Sequence, residues 1–263
     1  MSSSLTWADR LLMLISSPLP WMLTVNKILG TADGKDKLLR LVQFIMKFLS
    51  GYLGDTVDRA KALRMEDALA TGRKLFRFMR ALESLVKIQL VLGKLVSRQE
   101  GDGGSSNQLL LPCCELVQQG GLLSFWLVDH FFLLSKLSIV PIDQNIMRSY
   151  FGGTFTVACV GGLAGNVTRL HQINSLSPSV RAKHREKSEI AYRENIVDGV
   201  KNGLDIIIGL NIAYDKKWDS KLIGAIGATT SCIWLWQMYQ NHLAGNITAA
   251  RLEVPVDEKE HEN

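Results

Sequence analysis

At 263 residues, 47% of them hydrophobic, the chain has ample length for one large or two small domains. Its net charge is +5, and four cysteines without CxxC or other metal-ligand spacing argue against a disulfide framework and offer no metal site. No Walker loop, HExxH, GxSxG or dinucleotide fingerprint occurs, so neither an enzyme activity nor a cofactor is expected.

Long stretches rich in Leu, Ala, Lys and Arg, with only six prolines and little strand-like alternation, predict an all-α fold. The expected architecture is a set of amphipathic N-terminal helices followed by a membrane-embedded helical region. The apolar patch from Leu11 to Ile15 is preceded by Asp9 and followed by Pro18 and Pro20 without a small-residue cleavage site, so no cleaved signal peptide is expected. Residues 1–98 read as a basic amphipathic region at a membrane surface. Within it Asp33-Gly34 is expected to break the chain. From Lys35 onward Leu38, Leu41, Val42, Ile45, Met46 and Leu49 recur at three- and four-residue steps, with Lys37, Arg40, Gln43 and Lys47 mostly on the other side.

Arg59 to Arg98 holds ten Lys or Arg against Glu66, Asp67 and Glu83. Such a basic segment suits nucleic acid or an anionic membrane surface, and its apolar pattern decides. In Lys61 to Lys87 a stripe of Met65, Leu69, Leu75, Phe76, Met79 and Leu82 runs beside Arg73, Lys74, Arg77 and Arg80. A helix of this kind lies in the membrane plane, its apolar side wedged at the headgroup boundary and its cations on anionic phospholipid. The same pattern also fits a helix packed into the core of a bundle, and both readings stand at this point. No nucleic-acid partner is expected, because the arginines share their helix with an insertion-grade apolar face.

Residues 99–108, rich in Gly, Ser, Asp and Asn, predict a flexible loop. The hydrophobic helical region then spans 109–245. Leu122 to Val140 is apolar but contains Asp129, His130 and Lys136, whose cost at mid-bilayer requires them to turn toward partners. Adjacent helical residues point about 100° apart, and no nucleophile is evident, so Asp129-His130 reads as structural. Phe151 to Thr168 is uncharged and glycine-rich, with Gly161 and Gly165 at a close-packing spacing. The charged connector 177–194 follows, and Ile196 to Tyr214 carries Lys201 and Asp205 one turn apart. Leu222 to Gln240 is uncharged, framed by Trp218 and by Trp234, Trp236 and Tyr239, and is expected to cross the membrane, with Gly224 and Ala228 as a second packing pair. The acidic tail, 246–263, reads as disordered.

The segment Thr31-Ala32-Asp33-Gly34-Lys35-Asp36-Lys37-Leu38-Leu39-Arg40-Leu41-Val42-Gln43-Phe44 resembles the N-terminal signature of the peroxin eleven family. Arg73-Lys74-Leu75-Phe76-Arg77-Phe78 resembles the amphipathic helix that follows it. The resemblance implies an integral protein of the peroxisomal membrane, its basic region facing the cytosol, that promotes peroxisome elongation, proliferation and fission through amphipathic-helix insertion. It further implies a homo-oligomer and partnership with a fission adaptor and a dynamin-related GTPase. A peroxisomal channel for small metabolites is the alternative that the polar residues of the hydrophobic region keep open.

Overall fold

A computed structural model describes residues 20–77, 80–99, 106–214 and 218–243, all helices and connections, with no strand among the described residues. In chain order these are α1 (Pro20–Gly30), α2 (Ala32–Ser50), α3 (Val57–Phe76), α4 (Arg80–Gln99), α5 (Ser106–Lys136), α6 (Gln144–Asn174), α7 (Pro178–Lys183), α8 (Arg185–Ala213) and α9 (Ser220–Leu243).

Side-chain caps start several of them. The Thr31 hydroxyl accepts from the Gly34 amide at 3.0 Å and the Thr56 hydroxyl from Arg59 at 3.3 Å, each satisfying an amide that has no partner within its own helix. Asp33-Gly34, expected as a break, is therefore the first turn of α2. Asp33 suits the positive end of the helix there. Gly34 lets α1 close on α2: a Cβ would sit 2.7 Å from the Ile28 carbonyl carbon.

The helices pack as two groups. In one, α2 lies between α3 and α9, with α1 across α2 and α9; in the other, α6 lies between α5 and α8. Contacts of α9 with α8 and of α3 with α5 join the groups, and α4 lies against α5. The purely apolar nucleus is small, built on Phe44, Ile208 and Ile223. Phe125 adds an aromatic cluster, its ring centroid 4.5 Å from Phe151 and 5.1 Å from Phe155.

Two expectations change at the level of elements, and the charged connector takes a definite form. The helix predicted over Lys61 to Lys87 is two helices: α3 ends at Phe76, capped by Arg77, and α4 restarts at Arg80. The charged connector 177–194 is helical, forming α7 and the first turns of α8, with Ser177 capping α7. Among the described residues no helix is long and apolar enough to cross a membrane. Leu222 to Gln240, expected to do so, lies in α9, but Thr229, Thr230, Ser231 and Gln237 dilute its apolar character. The acidic tail and the middle of the predicted loop, 100–105, lie outside the described residues.

Candidate functional site: an ionic core under an apolar exterior

Charged residues recur at matching steps on two facing helices. Asp36, Lys37 and Arg40 occupy one side of α2, and Arg73, Lys74 and Arg77 the last turn of α3 and its cap. A carboxylate, Asp129, sits among apolar residues in the C-terminal third of α5. The fold brings these together. Asp36 Oδ1 accepts from Arg73 Nε at 3.0 Å and from Arg77 Nε at 2.8 Å. Asp129 accepts from Lys74 and, at 3.3 Å, from Arg77 Nη1. All five side chains are buried.

The network extends through α8 and α9. Arg40 pairs with Asp205 and donates to Thr230 Oγ1 at 3.2 Å, while Lys201 pairs with Asp198. Gln237 donates to Asp198 at 3.1 Å. Trp234 lies between two cations, with Lys201 Nζ at 3.8 Å and Lys37 Nζ at 4.3 Å from its ring centroid, a cation–π arrangement. Lys74 similarly faces Phe132 and Phe151. Burial works to raise the Asp36 carboxyl, but the surrounding charges of Arg77, Lys37 and Arg80 prevail and hold it below its ordinary value. Burial pushes the Lys37 ammonium down to about 8, against the pull of Asp36.

Beside this cluster lies a cavity of about 850 Å³, lined among others by Asp36, Arg73, Lys74, Arg77, Phe125 and Trp126.

The outer surface has the opposite character. On α4, Leu82, Leu85, Val86 and Val96 form an exposed stripe, edged by Lys87 and Lys94. On α5, Leu109, Leu110, Val117, Leu127 and Phe131 do the same; on α6, Ile146, Tyr150, Val157, Val160 and Val167. On α2 the apolar residues Leu38, Ile45 and Leu49 face out while Asp36, Lys37 and Arg40 face in. Single exposed leucines are ordinary in any protein; continuous stripes over buried charge are not.

The predicted membrane-binding residues divide along this line. Met65, Leu75, Phe76 and Leu82 are exposed, and Leu69 is half-buried. Arg73, Lys74 and Arg77, expected at lipid headgroups, are turned inward because buried Asp36 and Asp129 hold them. Arg80 is half-buried and paired with Asp33. Met79 lies outside the described residues. Of the packing residues, Gly161 abuts α5, where a Cβ would stand 2.6 Å from the Gln118 amide nitrogen, and Gly224 abuts α2, 2.6 Å from Phe48 Cα. Gly165 has looser company, Cys114 Cβ at 3.7 Å, and Ala228 packs on the Phe44 nucleus. These contacts lie within one chain.

Sequence reasoning missed Asp36 and Arg40 as site residues. Their signal was present: a cation-rich turn at Arg73–Arg77 and an isolated Asp129 in an apolar block require partners of opposite sign, and Asp36 is an acid on the polar side of the preceding helix.

A family model described as peroxisomal biogenesis factor 11 (PEX11) matches residues 22–239. The chain is also 22% identical over 234 residues to the Peroxisomal biogenesis factor 11 of Schizosaccharomyces pombe, which covers 84% of this chain and 95% of that relative. No solved structure matches it.

Proposed function

The chain belongs to the peroxisomal biogenesis factor 11 family, and from that premise we propose that it remodels the peroxisomal membrane, promoting elongation, proliferation and fission of the organelle. Membership makes it a peroxisome biogenesis factor from a family not known for catalysis. The mechanism proposed here is insertion of apolar helix faces into lipid around a rigid ionic centre.

The observation that carries this reading is the reversal of polarity, with charge inside and apolar stripes outside. In water such a molecule would expose large apolar faces while burying ions at high cost. In lipid the arrangement is favourable: the stripes meet acyl chains, and ionisable groups face the bundle interior, where they find partners. Helices α5 and α6 each have 31 residues. At 1.5 Å per residue that is roughly 45 Å, against a hydrocarbon core of about 30 Å. On α5 the buried Gln119, Asp129 and Ser135, and on α6 the buried glycines and Asn166, lower the average apolarity of each helix without altering its exposed apolar stripe.

In this mechanism α5, α6, α8 and α9 form the embedded part, and α2, α3 and α4 lie at its cytosolic surface. The α4 stripe enters the headgroup boundary while Lys87 and Lys94 reach back to anionic phosphates, as long basic side chains do at interfaces. Added area in one leaflet favours curvature. Self-association would concentrate that effect, and a fission adaptor with a dynamin-related GTPase would act on the resulting tubule.

The test is reconstitution of the full chain into vesicles containing anionic phospholipid, scored by electron microscopy. Wild type should tubulate them. The variant Leu82→Ser/Val86→Ser should bind less and tubulate poorly, since each large apolar side chain is worth about 1.5–3 kcal/mol when buried. Tubulation equal to wild type would remove α4 from the mechanism.

A further inference from the structure

Charge at the centre of the molecule does not balance. Four buried cations, Lys37, Arg73, Lys74 and Arg77, share two carboxylates, Asp36 and Asp129. Neighbouring cations offer no relief, because Arg40, Arg80 and Lys201 each have their own acid, Asp205, Asp33 and Asp198. Among the described residues the cluster therefore carries two positive charges in excess. Buried charge without a counter-charge is strongly unfavourable, and a bound anion removes the cost.

Carboxylate oxygens are shared between cations rather than paired one to one, while Asp36 Oδ2 keeps no hydrogen-bond partner. Arg73 directs Nε to Asp36 and Nη1 to Gln43, and Arg77 directs Nε to Asp36 and Nη1 to Asp129. Both guanidinium groups thus depend on the same oxygen, Asp36 Oδ1, for their Nε contacts. Lys37 Nζ stands 3.8 Å from Asp36 Oδ2, beyond hydrogen-bond reach. These groups line the cavity of about 850 Å³ together with the aromatic rings of Phe125, Trp126 and Phe151. Planar guanidinium forks match phosphate oxygens, and aromatic rings suit an organic substituent.

We infer that this cavity binds an organic phosphate monoester, its dianion held by Lys37, Arg73 and Arg77 and its organic part against Phe125, Trp126 and Phe151. A monoester is a dianion near neutral pH and so cancels both excess charges, whereas a diester cancels one. A lipid headgroup of the phosphatidic acid type and a soluble organic phosphate share this chemistry.

The experiment uses the full chain in nanodiscs and measures the thermal unfolding midpoint. Phenyl phosphate is titrated against chloride at matched ionic strength in phosphatidylcholine discs, and parallel discs contain phosphatidic acid. A saturable rise with phenyl phosphate identifies a soluble source; a rise only with phosphatidic acid identifies the lipid headgroup. The Lys37→Met variant should bind the responding probe roughly tenfold more weakly or worse, having lost one charge-assisted contact. Without ligand it should unfold at a higher temperature than wild type, because one excess charge is gone. Should that variant fail to fold, equilibrium dialysis of wild type with phenyl phosphate must show binding that strengthens as pH rises through about 6, where the dianion forms. An equal response to chloride and to both phosphates, an unchanged response in Lys37→Met, or binding flat through that pH range would overturn the assignment. Vesicle tubulation is a separate readout, so this inference and the remodelling mechanism stand or fall independently.

Discussion

Asp129 is buried and neutralises Lys74 and, with Asp36, Arg77, so its loss strands Lys74 and leaves Arg77 with Asp36 alone. Asp129→Ala should destabilise the folded protein in detergent by about 3–5 kcal/mol, the cost typical of breaking a buried pair from one side. Asp58 pairs with Lys61 in solvent, and Asp58→Ala should change stability by no more than about 0.5 kcal/mol. Denaturant unfolding of both variants checks the contrast. Two pH effects follow from the same cluster. The Asp36 carboxyl is held below its ordinary value of 3.8, so its stabilisation is complete above that pH and is lost as pH falls through the lowered value. Lys37 works the other way: at about 8 in the folded chain against 10.5 ordinarily, it is released first from the native state. Between these values the unfolded chain binds more protons, so stability rises with pH. Unfolding midpoints across that range should show the rise in wild type and lack it in Lys37→Met.

At the scale of helices, close approach depends on missing side chains. Gly161→Leu and Gly224→Leu each drive a side chain into the backbone of a neighbouring helix, and each should cost about 1–3 kcal/mol or more. Gly165→Ala meets only ordinary contact and should be neutral or stabilising by up to about 1 kcal/mol, because alanine favours helix. Thermal unfolding in one detergent compares all three. The helical content was legible because its signals are local: three- and four-residue apolar steps and scarce proline. Which way a helix faces was not. The stripe of Met65, Leu75 and Phe76 beside Arg73 and Arg77 is the same pattern whether the arginines meet phosphates or buried aspartates, and only the position of Asp36 and Asp129, 37 and 52 residues away in the chain, decides it. The glycines at 161 and 224 were recognisable as packing sites from spacing; their partners on α5 and α2 were not, since spacing carries no address. The break after Phe76 was hidden for a similar reason, as apolar periodicity continues through Arg77 into α4.

The molecule as a whole is organised around ions and clad in hydrocarbon. Cohesion comes from Asp36, Asp129 and Asp205 binding cations across helices, while apolar stripes on α4, α5 and α6 stay exposed; under the proposed mechanism those stripes meet lipid. Membranes carrying the protein should retain it through alkaline carbonate extraction. The most direct test is photolabelling from within the bilayer, with a carbene precursor carried on a phospholipid acyl chain and labelled residues located by mass spectrometry of the full chain. Label on Leu82, Leu85 and Val86 of α4 and on Val157 and Val160 of α6, with none on the inner residues Asp36, Arg77 and Asp129, is the predicted outcome. Exclusion of label from all of those apolar stripes would contradict it.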